Sequence, residues 1–211
     1  MKKETNTNIF VQGKKLPLVE DFYSIQGEGY HTGKPAYFIR LGGCDIACSW
    51  CDTKFAWDPQ IHPLVETDFI VNKAQTFVAG SIVVTGGEPL MWNLDYLCSE
   101  LKKHNIQTFL ETSGTHKFTG IWDWICLSPK KQNPPLPEAY NKSNELKVII
   151  NNRDDLKWAE INAKKVIESC KLFLQPEWSN YKNIIKEIVQ YVKDNPKWSI
   201  SLQIHKFMGI P

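Results

Sequence analysis

At 211 residues, with 42% hydrophobic and 23% charged residues, the chain has the size and composition of one globular domain with room for a core. Its formal net charge is +2, with Lys and Arg scattered rather than gathered in a basic stripe, which speaks against nucleic acid as a partner. No apolar run approaches the roughly 18 residues of a membrane span. Residues 1–8 are polar and lack the apolar stretch of a signal peptide, so a cytoplasmic location away from membranes is expected.

In chain order, residues 1–18 carry no motif and are expected to be a mobile lead-in to a single domain over 19–211. Residues 36–41 read as a strand just before a group of cysteines, 66–78 as a helix, and 81–85 as a buried strand. Asn93 is placed to cap a helix whose Leu94, Leu97, Cys98 and Leu101 recur at i, i+3, i+4, i+7 spacing. Strands follow at 108–111, 124–128, 146–150, 171–175 and 199–204. Helices are expected at 154–167 and from a Ser179 cap to a stop near Asn195-Pro196. Strand alternating with helix predicts βαβ units, right-handed crossovers and a parallel sheet. Such sheets gather chemistry at the C-terminal ends of their strands. The polar and glycine-rich clusters obey that rule: Gly86-Gly87-Glu88-Pro89, Thr112-Ser113-Gly114, Ser128-Pro129-Lys130, Pro176-Glu177-Trp178 and His205-Lys206 each follow a strand.

The six cysteines divide unevenly. Cys44, Cys48 and Cys51 form a C-x3-C-x2-C group, whereas Cys98, Cys126 and Cys170 lie far apart. A chain of this length without a signal peptide is not expected to carry a disulfide framework, and a tight cysteine group favours metal. Thiolates are soft anionic ligands suited to iron–sulfur clusters or to zinc. A structural zinc would require a fourth ligand, yet no Cys or His follows at finger-like spacing, and His62, the nearest, has no companion. Three thiolates leave one iron of a 4Fe–4S cluster open to bind a small molecule. Zinc and unmetallated thiols are the remaining readings of the residues alone. Cys98, on an apolar helical stripe, and Cys126, inside a strand, read as core residues, and Cys170 as a spare thiol.

Together with Trp50 before the last cysteine and Gly86-Gly87-Glu88-Pro89 after a strand, the cysteine group resembles the signature of the radical S-adenosylmethionine superfamily. The flanks narrow the resemblance. Phe22-Tyr23-Ser24-Ile25-Gln26-Gly27-Glu28-Gly29, Phe38-Ile39-Arg40, Cys51-Asp52-Thr53, Thr85 before the glycines, Ser128-Pro129-Lys130, Leu174-Gln175-Pro176 and the ending from Gln203 to Pro211 are similar to the 7-carboxy-7-deazaguanine synthase family. These segments span nearly the whole chain. Pieces of the pattern also occur in glycyl-radical activating enzymes, which act on a partner protein, and a non-enzymatic iron–sulfur scaffold is a third reading.

The family resemblance implies a reduced, partial (β/α) barrel. It also implies a lyase of 7-deazapurine (queuosine) biosynthesis that converts 6-carboxy-5,6,7,8-tetrahydropterin to 7-carboxy-7-deazaguanine by radical ring contraction with loss of ammonia. The implied cofactors are one 4Fe–4S cluster, S-adenosylmethionine and Mg2+; the implied partners are an electron donor such as flavodoxin or ferredoxin and a second copy in a homodimer. Carried over position by position, Cys44, Cys48 and Cys51 hold the cluster, Glu88 receives the ammonium of S-adenosylmethionine, and Thr53 is a magnesium ligand. Trp50, Cys51, Asp52, Gly87, Ser113, Ser128, Pro129, Lys130, Gln175, Pro176, Glu177 and Trp178 are expected to contact S-adenosylmethionine. Ile25, Gln26, Gly27, Glu28, Arg40, Thr85, His205 and Pro211 are expected to line the pterin, with the planar guanidinium of Arg40 on its carboxylate.

Overall fold

The computed structural model describes residues 12–211 as one nine-stranded sheet with helices on its outer face. The strands are β1 (Lys15–Ile25), β2 (Pro35–Leu41), β3 (Leu64–Glu66), β4 (Ser81–Gly86), β5 (Gln107–Thr112), β6 (Trp124–Leu127), β7 (Glu145–Ile150), β8 (Lys171–Pro176) and β9 (Trp198–Ile200). The helices are α1 (Thr67–Ala74), α2 (Asp95–Lys103), α3 (Pro137–Lys142), α4 (Arg153–Ala163), α5 (Tyr181–Asp194) and α6 (Ile204–Met208). The sheet order is β3-β1-β2-β4-β5-β6-β7-β8-β9, parallel from β2 to β9 and antiparallel only where β1 meets β2 and β3. Among the described residues β3 and β9 are therefore the two sheet edges, and the barrel is partial and open. No helix among the described residues is long and apolar enough to cross a membrane.

Period-2 alternation sorts the side chains. Tyr37, Ile39 and Leu41 of β2, Ile82 and Val84 of β4 and Leu110 of β5 point outward into a core shared with Ile70 of α1 and Leu97 and Leu101 of α2. Leu146, Val148 and Ile150 of β7 and Leu174 of β8 point outward onto α3, α4 and α5 through Ala139, Leu156, Ala159, Ile184 and Ile188. The inner face carries a small apolar group, Ala36, Phe38 and Val83 with Phe22 and Phe109, and otherwise polar residues. A parallel strand normally buries apolar residues on both faces; here one face is given over to a site.

The last residues of the chain meet the loop after β1 and bridge the opening. Ile204 donates its N–H to the Gly27 carbonyl at 2.9 Å, Gly29 N–H donates to Ser201 Oγ at 2.9 Å, and Ser24 Oγ donates to the Pro211 carbonyl at 3.0 Å. The approach is close enough that a Cβ on Gly27 would lie 2.1 Å from His205 Nδ1, so only glycine fits there.

Several sequence-based boundaries shift. The lead-in expected to reach residue 18 does not: residues 1–11 lie outside the described residues, but β1 begins at Lys15, and Leu16 and Leu18 are buried. Pro17 and the acidic pair Glu20-Asp21 had hidden the strand's pattern. The expected helix over 66–78 is α1 alone, because Glu66 belongs to β3, where it pairs with Lys15 at 2.6 Å, and residues 75–77 close in tight turns. The helix expected at 154–167 runs from Arg153 to Ala163, started by a capping box between Asn152 and Asp155. Ser179 is not the cap of α5; Glu177 instead accepts the N–H groups of Ser179 and Asn180 at 3.0 Å each, and the helix starts at Tyr181. The strand expected at 199–204 stops at Ile200, since Ser201 turns its hydroxyl to Gln175 and Ile204 opens α6.

If Leu16 is core rather than lead-in, Leu16→Ala should cost about 2–5 kcal/mol in urea unfolding, the range for truncating a buried leucine. A change under about 0.5 kcal/mol, the behaviour of an exposed site, would place it outside the folded unit.

Candidate active site

The cluster loop starts where β2 ends. Gly42 N–H donates to the Pro17 carbonyl, Gly43 N–H to Ala56 and Cys44 N–H to Trp57, at 2.8, 2.8 and 3.1 Å, while Trp92 Nε1 donates to the Gly42 carbonyl at 2.8 Å. These bonds hold both ends of a loop that contains all three clustered thiols. Cys51 N–H donates to the Cys48 carbonyl at 3.0 Å, a tight turn that turns the last two cysteines together. Thr53 N–H donates to Cys51 Sγ at 3.4 Å, with Thr53 Oγ1 also at 3.4 Å, the kind of contact that stabilises a thiolate ligand. All six cysteines are free. Burial pushes the Cys48 thiol up against the pull of Lys130, and the Cys51 and Cys44 sulfurs push the same way as burial.

Three thiols on one loop are a soft, anionic donor set of the kind that holds an iron–sulfur cluster. Among the described residues no group of three or more His, Cys, Asp or Glu side chains is gathered as a single-ion site. Cys44, Cys48 and Cys51 border a cavity of about 610 Å³, within the range of small-molecule sites.

The glycine motif after β4 is sewn onto this loop. At Gly86, φ is +150° and a Cβ would lie 2.1 Å from the Leu41 carbonyl oxygen. Gly87 N–H donates to that carbonyl at 3.0 Å and Glu88 N–H to Gly43 at 2.7 Å. Glu88, 1% exposed, accepts from Leu90 N–H and Thr112 Oγ1 on one oxygen and from Ser113 N–H and Oγ on the other, at 3.0, 2.6, 2.8 and 2.5 Å. Its carboxylate thus already has four protein donors. It ties the tip of β4 to the tip of β5 and presents Ser113 to the cavity.

The opposite wall comes from the loop after β1, the inner faces of β2, β5 and β7, and the C-terminal segment. Gln26 accepts the Glu28 N–H on its Oε1 at 3.2 Å. Glu28 accepts from Lys147 Nζ at 2.6 Å and from Gln203 Nε2 at 2.9 Å, and Lys147 also donates to Glu111 at 2.9 Å. Burial opposes ionisation of Glu28, but the Lys147 ammonium and the bonds from Lys147 and Gln203 outweigh it and hold its carboxyl down to about 2. Arg40 lines the cavity while its Nε is paired with Glu20 at 2.7 Å, so one edge of the guanidinium is committed to β1. Burial lowers the His205 imidazole, so it is neutral near pH 7.

Of the residues expected at the site, all but Pro129 line this one cavity. Pro129 is buried between Ser128 and Lys130, whose Nζ donates to both Ser128 oxygens at 2.7 Å and lies 5.6 Å from the Trp50 ring centroid. Burial lowers the Lys130 ammonium. Glu177 lines the cavity but also holds the turn that leads into α5, and Asp52 is tied to the C-terminal segment by Lys206 at 2.6 Å. Sequence reasoning missed Lys147, Glu111 and Gln203. The signal was present for the first: in Glu145-Leu146-Lys147-Val148 the polar residues alternate, which marks a strand with one polar face.

A partial parallel barrel with three free thiols at the C-terminal end of its first parallel strand defines a radical S-adenosylmethionine protein, and the Radical SAM superfamily description matches residues 38–126. The chain is 54% identical to 7-carboxy-7-deazaguanine synthase of Flavobacterium psychrophilum, over 95% of both chains, and 44% identical to that of Synechocystis, over 92% of this chain and 93% of the other. The crystal structure of QueE from Escherichia coli superposes with a TM-score of 0.80 at 28% identity, covering 96% of this chain and 99% of that one. The chain belongs to the 7-carboxy-7-deazaguanine synthase family.

Anaerobic reconstitution should load about four irons per chain, the stoichiometry of a cubane. Cys44→Ala, Cys48→Ala and Cys51→Ala should each abolish it, while Cys98→Ala, Cys126→Ala and Cys170→Ala should retain it. Iron analysis decides; full loading in a Cys44→Ala, Cys48→Ala or Cys51→Ala form would remove that thiol from the site.

Proposed function

We propose that the chain converts 6-carboxy-5,6,7,8-tetrahydropterin to 7-carboxy-7-deazaguanine, with Cys44, Cys48 and Cys51 holding a 4Fe–4S cluster and S-adenosylmethionine bound beside it. The observation that carries the reading is one cavity with thiols on one wall and a carboxylate–guanidinium–imidazole set, Glu28, Arg40 and His205, on the other. A cluster bound at the thiols would supply the electron that cleaves S-adenosylmethionine to a hydrogen-abstracting radical.

The chain's own residues bind and orient. Glu28 stays ionised across the physiological range and offers acceptors to the amino and amide N–H groups of a pterin edge. Gln26, Ile25 and Gly27 supply the neighbouring surface, and Arg40 has the rest of its guanidinium for the pterin carboxylate. Thr85 and Pro211 complete the pterin wall. Trp50, Asp52, Gly87, Ser113, Ser128, Lys130 and the Gln175–Trp178 segment border the thiol side and would contact S-adenosylmethionine. Glu88 would act there through Ser113 and through whatever acceptor capacity its four bonds leave.

Thr53 is the proposed magnesium ligand. Its hydroxyl does not cap the turn at 54–56 and lies on the cavity wall beside Cys51, where a hard cation would find an oxygen donor. The same reading takes a flavodoxin or ferredoxin as reductant and a homodimer as the assembled form.

Reconstituted protein incubated anaerobically with dithionite, S-adenosylmethionine and the carboxypterin should release 7-carboxy-7-deazaguanine, read by mass spectrometry; S-adenosylmethionine cleavage without that product would exclude this substrate. Magnesium should stimulate the wild type, and Thr53→Val should keep the cluster but lose the stimulation. A Thr53→Val form that responds to magnesium like the wild type would show that Thr53 is not the ligand.

A further inference from the structure

Lys147 is the least expected residue of the cavity. It sits mid-strand in β7, is 4% exposed, and points inward because Leu146, Val148 and Ile150 take the outer face. An ammonium so deep is costly unless it is paired and hydrogen-bonded. Its partners come from two other elements: Glu28 on the loop after β1 at 2.6 Å and Glu111 at the end of β5 at 2.9 Å. Glu28 and Glu111 both border the cavity; on Glu28, Lys147 takes one oxygen and Gln203 Nε2 donates to the other at 2.9 Å, so what the carboxylate offers to a bound molecule is the second lone pair of each oxygen.

The other groups facing Lys147 are engaged elsewhere. Glu145, on β7 itself, accepts from the Tyr30 N–H at 3.1 Å and Trp124 Nε1 at 3.2 Å, and burial raises its carboxyl. Burial pushes the Cys126 thiol on β6 well up, so it is uncharged. His205 from α6 is lowered by burial, and Lys130 from the loop after β6 is bonded to Ser128. That leaves Lys147 as the cation that sits between Glu28 and Glu111.

We infer that Lys147 is a positioning residue for the substrate site, holding the Glu28 and Glu111 carboxylates side by side as a two-pronged acceptor for the amino and amide N–H edge of the pterin. This rests on the substrate reading given above. Two carboxylates in a shared, desolvated wall repel each other, and burial favours their neutral forms. Lys147 reverses both effects at Glu28 and fixes the geometry of both acceptors. The pterin then meets a rigid pair rather than two side chains that must be ordered on binding.

The test compares Lys147→Met with wild type, both reconstituted anaerobically. Iron content and S-adenosylmethionine binding should be unchanged, since Lys147 bonds to neither the cluster loop nor the Glu88 motif. KM for the carboxypterin should rise at least about 30-fold at pH 7, with a smaller change in kcat. The pH profile supplies a readout that lost packing would not move. In the wild type Glu28 is ionised throughout pH 6–9, so this group gives kcat/KM no slope. Without the ammonium, Glu28 titrates higher, and kcat/KM should fall as pH drops from 9 to 6. Removing Glu111 as well, in Lys147→Met/Glu111→Gln, takes away the repulsion; KM should stay high while the acidic slope shrinks. Should the single variant fail to fold, the double variant carries the KM test, and a wild-type KM in it overturns the inference. A Lys147→Met form with wild-type KM and pH profile, or with equal loss of S-adenosylmethionine and pterin binding, also overturns it. Failure of the wild type to convert the carboxypterin would be a different result, removing the substrate reading and this inference with it.

Discussion

The inner face of an open sheet has to be closed by something other than another strand. Here the closure is a set of contacts between the loop after β1 and the chain's final residues. Ile204 bonds to Gly27, Ser201 to Gly29, and Gln203 to Glu28, while the His205 ring lies against Gly27 with no room for a side chain between them. The same segment reaches across to the cluster loop through Lys206 and Asp52. The two halves of the cavity, the thiol wall and the carboxylate wall, therefore share one C-terminal strap. The exposed ion pair adds little by itself; the buried backbone and amide bonds carry the closure.

The strap explains why the site is distributed along the whole chain. Parallel strands deliver one functional side chain each from their inner face or their C-terminal tip, so Arg40, Thr85, Glu111, Lys147 and Gln175 come from five strands. The tips also need mutual fastening, and that is the office of Glu88. A carboxylate with four donors, one from Leu90 and three from the adjacent Thr112 and Ser113, fixes the relative position of the β4 and β5 ends. The Gly86-Gly87 turn then sits against Leu41 and Gly43, so the cluster loop is positioned by the neighbouring strand rather than by its own rigidity.

Much of this was legible in the sequence, and the exceptions have physical causes. The parallel strands were readable because one face of each is apolar and turn residues bound them. The site's motifs were readable because strand tips are where such a sheet puts polar clusters; all the expected residues except Pro129 line one cavity. β1 is not, because Pro17 and the Glu20-Asp21 pair interrupt its alternation, and its start pairs with β3, which is distant in sequence. The ending has the local pattern of a strand because the hydrogen bonds that bury Ser201 and Gln203, to the Gln175 and Glu28 side chains, leave no mark in that pattern. Lys147 was overlooked inside an apolar run whose neighbours set the expectation.

Charge gives the cavity a direction. At one end, Cys48 of the three clustered thiols lies near Lys130, whose ammonium burial weakens and whose Nζ is directed to Ser128. At the other, Glu28 and Glu111 flank Lys147, whose ammonium the surrounding acids raise well above its ordinary value despite burial. The two lysines thus differ in kind. Lys147 is locked as a cation by the partners that need it, and breaking that set would leave an unpaired buried charge, a cost of about 3–5 kcal/mol in other proteins. Lys130 has no carboxylate among its hydrogen-bond partners, and burial lowers its ammonium while the Cys48 sulfur acts the other way. A polar molecule entering between them meets acceptors on one side and thiols with a single ammonium on the other. Its orientation follows from where its own donors and carboxylate lie, before any chemistry begins.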